Sequence, residues 1–132
     1  MTPELLVLTL AALLQALQHV LMSVAVNLDI GPARTLAPRD HDDLRRDLSL
    51  TSGRLLRAFE NHFEALALFT IATLVITLSG QSTAFTAAMA WTYLAARILY
   101  VPAYAFGWVP WRSVIWSVGW AATLAMLVAS LF

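Results

Sequence analysis

Four stretches of the chain are apolar over long runs, and the polar residues are confined to the gaps between them. The first runs from Leu5 to Leu28 and is interrupted only by uncharged polar residues and His19. About 20 helical residues cross a hydrocarbon core of about 30 Å, so this stretch predicts a transmembrane helix over 4–28. A signal peptide is the competing reading. It calls for a basic start and a shorter apolar core, whereas this segment carries Glu4 and runs longer. Residues 29–52 then form a polar connection punctuated by Pro32 and Pro38. The second apolar segment, from Ala65 to Leu78, is short for a span, but no helix breaker stands between Arg54 and Glu64. A helix over 53–79 is therefore expected, its first turns charged. Gly80-Gln81-Ser82 marks a turn, and a third span follows over 83–106 with Pro102 inside it, where a kink is expected. Gly107-Trp108-Val109-Pro110 is the next turn. Pro110 suits the first position of a fourth helix over 110–131.

Composition agrees with that pattern and narrows the chemistry. The 132 residues are 60% hydrophobic and 12% charged, where a soluble domain carries roughly a quarter charged residues. The expectation is an all-α membrane protein, one domain over 1–132, built as a bundle of four transmembrane helices in contact with the lipid bilayer. Cysteine is absent, which removes disulfides and thiolate-ligated metals. His19, His41 and His62 have no metal-ligand spacing, and no metal site is expected. The net charge is zero, so no nucleic-acid partner is expected.

Where the charges fall is more telling than their sum. All eight basic residues are arginine, and six of them (Arg34, Arg39, Arg45, Arg46, Arg54, Arg57) lie within one stretch of 24 residues. From Ala65 onward there is no acid, and the two remaining arginines are Arg97 and Arg112. The excess of arginine in the 29–56 connection and the 107–112 turn places those ends in the cytoplasm and both termini outside it.

Three constellations combine these charges with helical spacing. Arg57, Asn61 and Glu64 recur at i, i+4 and i+7, one face of the second span. A cation, an amide and a carboxylate in a stripe can grip a zwitterion; they can equally be a helix end paired within the bundle. Arg97, Tyr100 and Tyr104 share a face of the third span. An intramembrane charge costs at least ~2.5 kcal/mol and marks function by default, so Arg97 needs either a bound anion or a partner such as Glu60 or Glu64. Arg112, Ser113 and Trp116 open the fourth span. A cation there adds to the positive end of the helix dipole unless an anion is present. In the first span Gln15, His19 and Met22 share a face with Gln18 beside them, and interhelical hydrogen bonding is the expectation for them.

Together these motifs resemble the MAPEG family, the membrane-associated proteins of eicosanoid and glutathione metabolism, over essentially the whole chain. The Arg57-x-x-x-Asn61-x-x-Glu64 stripe looks like that family's glutathione-binding signature. Arg97, Tyr100 and Tyr104 are similar to its third-helix pattern. Arg112-Ser113 resembles the Arg-Ser pair of its glutathione-dependent synthases. The resemblance implies a homotrimer with glutathione as co-substrate, bound by Arg57, Asn61, Glu64, Arg97, Tyr100, Tyr104 and Trp116. Arg112 and Ser113 would be catalytic, with Arg112 stabilising the thiolate. It implies a transferase or peroxidase acting on lipophilic electrophiles in a bacterial-type inner membrane. The sequence departs from the synthases at Glu60, where they place arginine, at Trp116, where they place tyrosine, and in having no arginine within the first span. These departures point to the alternative, a non-catalytic lipid-binding or scaffold protein on the same fold.

Overall fold

Thr2 begins the architecture by accepting the backbone N–H of Leu5 on its hydroxyl, at 3.3 Å, with Pro3 in the first helical position, where a missing N–H costs nothing. In the computed structural model, which describes every residue except Arg39, His41 and Asp42, this cap opens α1, Pro3–Ile30. Gly31 ends it at φ 82°, a left-handed conformation that glycine adopts without strain. A short α2, Pro32–Thr35, and a 3-10 turn, Leu44–Asp47, follow in the polar connection.

The second span is α3, Leu50–Leu78. Its cap, Ser49, accepts from the N–H of Ser52 at 3.2 Å, and its own N–H donates to Asp29 at 2.9 Å, so the two ends of the connection are tied together. α4 is Ala84–Ala105, opened by a reciprocal cap between Thr83 and Thr86, and it continues through Pro102. α5 is Trp111–Ala129. Pro110 is its cap residue rather than its first helical residue, so the helix begins one position later than the sequence suggests.

All four long helices are apolar enough to cross a membrane, and no strand occurs among the described residues. The bundle is held by a core of Val7, Ala11, Phe69, Ala72, Ile76, Ala90, Tyr93, Leu94, Ala122 and Met126. The Phe69 and Tyr93 rings stack at 4.0 Å across α3 and α4. Small residues at Ala11, Ala72, Ala90 and Ala122 let the helices approach closely, as lipid-embedded helices require in the absence of a hydrophobic drive to associate. α4 packs most extensively on α5, and α1 on α3.

Polar contacts pin this packing at two depths. Near the start of α1, the Glu4 carboxylate has no exposed surface. It accepts from the Ser82 hydroxyl at 2.8 and 3.0 Å and from Thr86 at 2.5 Å. Deeper in the bundle, Gln15 donates to the Phe59 carbonyl at 3.3 Å, and Gln18 donates to Nδ1 of the buried His62 at 2.9 Å. The interhelical bonding expected of the first span is therefore carried by Gln15 and Gln18. His19 instead packs its ring against Phe59.

Candidate functional site

The beginning of α3 lies beside the end of α4 and the beginning of α5, and their polar side chains meet there. Arg57, on the second turn of α3, donates from Nε to the Tyr104 hydroxyl at 3.1 Å. Its guanidinium also lies 5.9 Å from the centroid of the Tyr104 ring. Arg112, the second residue of α5, stands 5.2 Å from the same centroid. Tyr104 is thus flanked by two cations, which repel each other unless the ring's negative face and a nearby anion hold them. Tyr100 packs on Tyr104 at 5.4 Å, one turn earlier on α4.

A groove of about 450 Å³ opens against these side chains, lined by Asn61, Tyr100, Tyr104, Arg112, Ser113, Trp116 and Ser117. Its volume falls within the roughly 300–1,000 Å³ of small-molecule sites. No lining residue is acidic. The buried Asn61 Oδ1 has no hydrogen-bond partner, so one acceptor stands ready beside the cations. Hydroxyls from Ser113 and Tyr104 border the same space, although Ser117 spends its own on the Ser113 carbonyl at 2.9 Å.

Two residues of the sequence-derived set lie elsewhere. Glu64 shares a separate groove with Phe59, Glu60 and Phe63. Glu60 is hydrogen-bonded to Arg45 of the polar connection, and is therefore not the partner of Arg97. Arg97 is 2% exposed and lines a third cavity between α3 and α5; no carboxylate among the described residues pairs with it. Of the other loop arginines, Arg34 pairs with Asp47 at 2.9 Å and Arg46 with Asp43 at 3.2 Å. Arg39 and His41 lie outside the described residues.

The structure also brings forward residues that spacing did not single out. Arg54 packs over the turn before α5, where it donates to the Ala105 carbonyl at 3.4 Å. Its guanidinium would sit 2.9 Å from a Cβ at Gly107, so glycine is required there by contact as well as by φ 67°. The signal for Arg54 was its place one turn before Arg57. His62 gave none, since a helical wheel turns it away from the Arg57 face.

The sequence model of the MAPEG family matches residues 7–132, essentially the whole chain. The chain belongs to the MAPEG family. Neither a curated protein nor a solved structure matches it. This MAPEG chain is an integral, multi-pass membrane protein whose helices contact the bilayer. Its membership places its activity broadly among the glutathione-related and eicosanoid-type functions of membranes.

Proposed function

We propose that this MAPEG protein is a glutathione-dependent transferase or peroxidase acting on lipophilic electrophiles, with the tripeptide held in the groove beside Tyr104. The observation that carries the reading is the acid-free groove faced by Arg112 and bordered by Arg57. Glutathione brings two carboxylates, one ammonium and a thiol. Arg57 and Arg112 suit its anionic groups, and the unpartnered Asn61 oxygen suits an amide N–H. Glutathione bound there would supply a thiolate, the form of sulfur that attacks electrophiles.

Arg112 is assigned the thiolate. Its guanidinium cannot be deprotonated, so it lowers the cost of holding sulfur as an anion without itself moving a proton. Ser113, next to it, offers a hydroxyl donor to the same anion. Tyr104 fixes both arginines, through its hydroxyl on one side and its ring on the other. Trp116 and Tyr100 supply aromatic walls to the groove. The acidic groove of Glu60 and Glu64 and the basic groove around Arg112 are separate on one chain, an arrangement that suits copies standing side by side and supports a homotrimer. The clustered arginines at the α3 and α5 openings support a cytoplasmic site, with both termini on the far side of a bacterial-type inner membrane.

The test is Arg112→Ala in purified protein, assayed with glutathione and an aromatic halide. Loss of one anion-stabilising donor of this kind costs about 10²–10³ in turnover, and that is the expected fall. Turnover equal to that of the unaltered protein sinks the thiolate role.

A further inference from the structure

Among the described residues, no anion pairs with the buried cation Arg97. Its Nε and Nη1 are without a hydrogen-bond partner. The Tyr93 and Tyr100 rings stand 5.2 and 5.8 Å from the guanidinium carbon, but a ring face cannot satisfy N–H groups as an anion's oxygens do. Arginine does not shed its charge, and ionisable groups within a membrane pair with one another or with backbone carbonyls. The crevice that Arg97 borders offers it no acid, being lined by Ala65, Leu68, Trp120, Thr123 and leucines 124 and 127. The Thr123 hydroxyl is already donated to the Gly119 carbonyl at 3.1 Å.

One acid is in the converse position. Of the eight carboxylates, five lie between Asp29 and Asp47 in the polar connection. Glu4 is held by Ser82 and Thr86 at the opposite end of the bundle, and Glu60 is bonded to Arg45. That leaves Glu64, which no ion pair joins to another described residue. Its depth follows from the contact that registers α3 against α4, the bond from Arg57 to the Tyr104 hydroxyl. Seven residues inward along α3 from Arg57 is Glu64, and seven inward along α4 from Tyr104 is Arg97. Each therefore lies about 10 Å deeper than that contact, at 1.5 Å per residue. The two opposite charges share one depth but border different grooves, Glu64 with Phe59, Glu60 and Phe63, and Arg97 with Ala65 and Leu68.

We infer that these two charges pair between copies of the chain, Glu64 of one copy entering the α3–α5 crevice of the next and accepting from Arg97. The carboxylate supplies the charged acceptor that the guanidinium N–H groups lack, and the guanidinium supplies the cation that Glu64 lacks. Equal depth also sets the form of the assembly. An interface that joins different patches on each copy gives a ring when the rotation closes and an open filament when it does not. Here the paired groups are level in the bilayer, so each added copy turns about the membrane normal without rising, and the series closes. Every copy gives one carboxylate and takes one, whereas a copy alone keeps both charges unpaired. The pairing rests on the proposed homotrimer for its neighbouring copies and takes nothing from the glutathione reading. Asn61, in the groove at Tyr104, precedes Glu64 by one turn of α3, so the joint between copies lies one turn deeper than that groove.

Because the native chain has no cysteine, contact between copies is read by cross-linking in trans, without glutathione. Two differently tagged chains, Glu64→Cys and Arg97→Cys, are co-expressed, and their membranes are treated with a lipid-soluble phenylene bismaleimide. The expected product is a cross-linked dimer carrying both tags, absent when Glu64→Cys is combined with Ser82→Cys from the opposite end of the bundle. Thr123→Cys, which lines the crevice and leaves Arg97 in place, is expected to give the same product with Glu64→Cys, so a misfolded Arg97 variant does not decide the outcome. Single-molecule photobleaching of the tagged, otherwise unaltered chain in bilayers counts the copies. Trimers without a mixed-tag product from either combination overturn the pairing alone; isolated single copies overturn the pairing and the homotrimer together. Glu64→Gln is expected to raise the protein concentration needed for half-assembly at least about tenfold, and Glu64→Asp, which keeps the charge, to raise it less. Assembly unweakened by Glu64→Gln also overturns the pairing.

Discussion

Tyr104 shows how one side chain organises two charges by different means. Its hydroxyl accepts from Arg57 while its ring faces Arg112, so the two contacts can be removed separately. Tyr104→Phe deletes the acceptor and keeps the ring. A net hydrogen bond contributes about 0.5–1.5 kcal/mol, which corresponds to a roughly 2- to 12-fold rise in KM for glutathione, with kcat nearly unchanged. A fall in kcat at constant KM would instead mean that the hydroxyl acts in the transition state, and the positioning role would be wrong. At this scale the sequence was partly legible. Helical spacing brought out Arg57, Asn61, Tyr100, Tyr104, Arg112, Ser113 and Trp116, which gather at one groove or its rim. It could not separate Glu64 from them, because residues within one arc of a helix face different neighbours according to where those neighbours stand. Nor could it assign Arg97, whose surroundings come from α3 and α5 rather than from its own helix.

Between elements, the most demanding contact is the one at the opposite end of the bundle from the groove. Glu4 ties the beginning of α1 to the turn before α4 through Ser82 and to the first turn of α4 through Thr86. Hydroxyls left without their acceptor in a buried setting cost about 1–3 kcal/mol. Glu4→Ala is accordingly expected to lower the thermal midpoint in detergent, and Glu4→Gln, which keeps one acceptor oxygen, to lower it less. A midpoint unmoved by Glu4→Ala would show that the staple contributes nothing. The helices themselves were well marked by hydropathy, and even the charged beginning of α3 followed from its lack of breakers. Glu4 as a staple was not legible, since an acid in a first turn reads as a favourable dipole contact and its partners lie some eighty residues away.

For the molecule as a whole, the proposed direction of insertion rests on the distribution of arginine. Arg45, Arg46, Arg54, Arg57 and Arg112 all belong to the connection, the start of α3 or the start of α5, while Met1, the turn at Gly80 and Phe132 lie at the ends without arginine. Because the native chain has no cysteine, single thiols report topology without interference. In intact cells, Ser82→Cys should react with a membrane-impermeant maleimide, and Ser49→Cys only after permeabilisation; the reverse pattern refutes the orientation.

Gly119 has a consequence that reaches beyond this one chain. A Cβ there would stand 3.2 Å from Nη2 of Arg97 and 3.3 Å from the Ala96 Cβ. The guanidinium thus occupies a volume that α5 surrenders by having no side chain. Two positions on different helices are therefore bound by one steric bargain. Among relatives of this protein, substitutions at the two positions should be inherited together: a shorter residue in place of Arg97 frees position 119 to grow, and a larger residue at 119 is tolerated only where the arginine has gone.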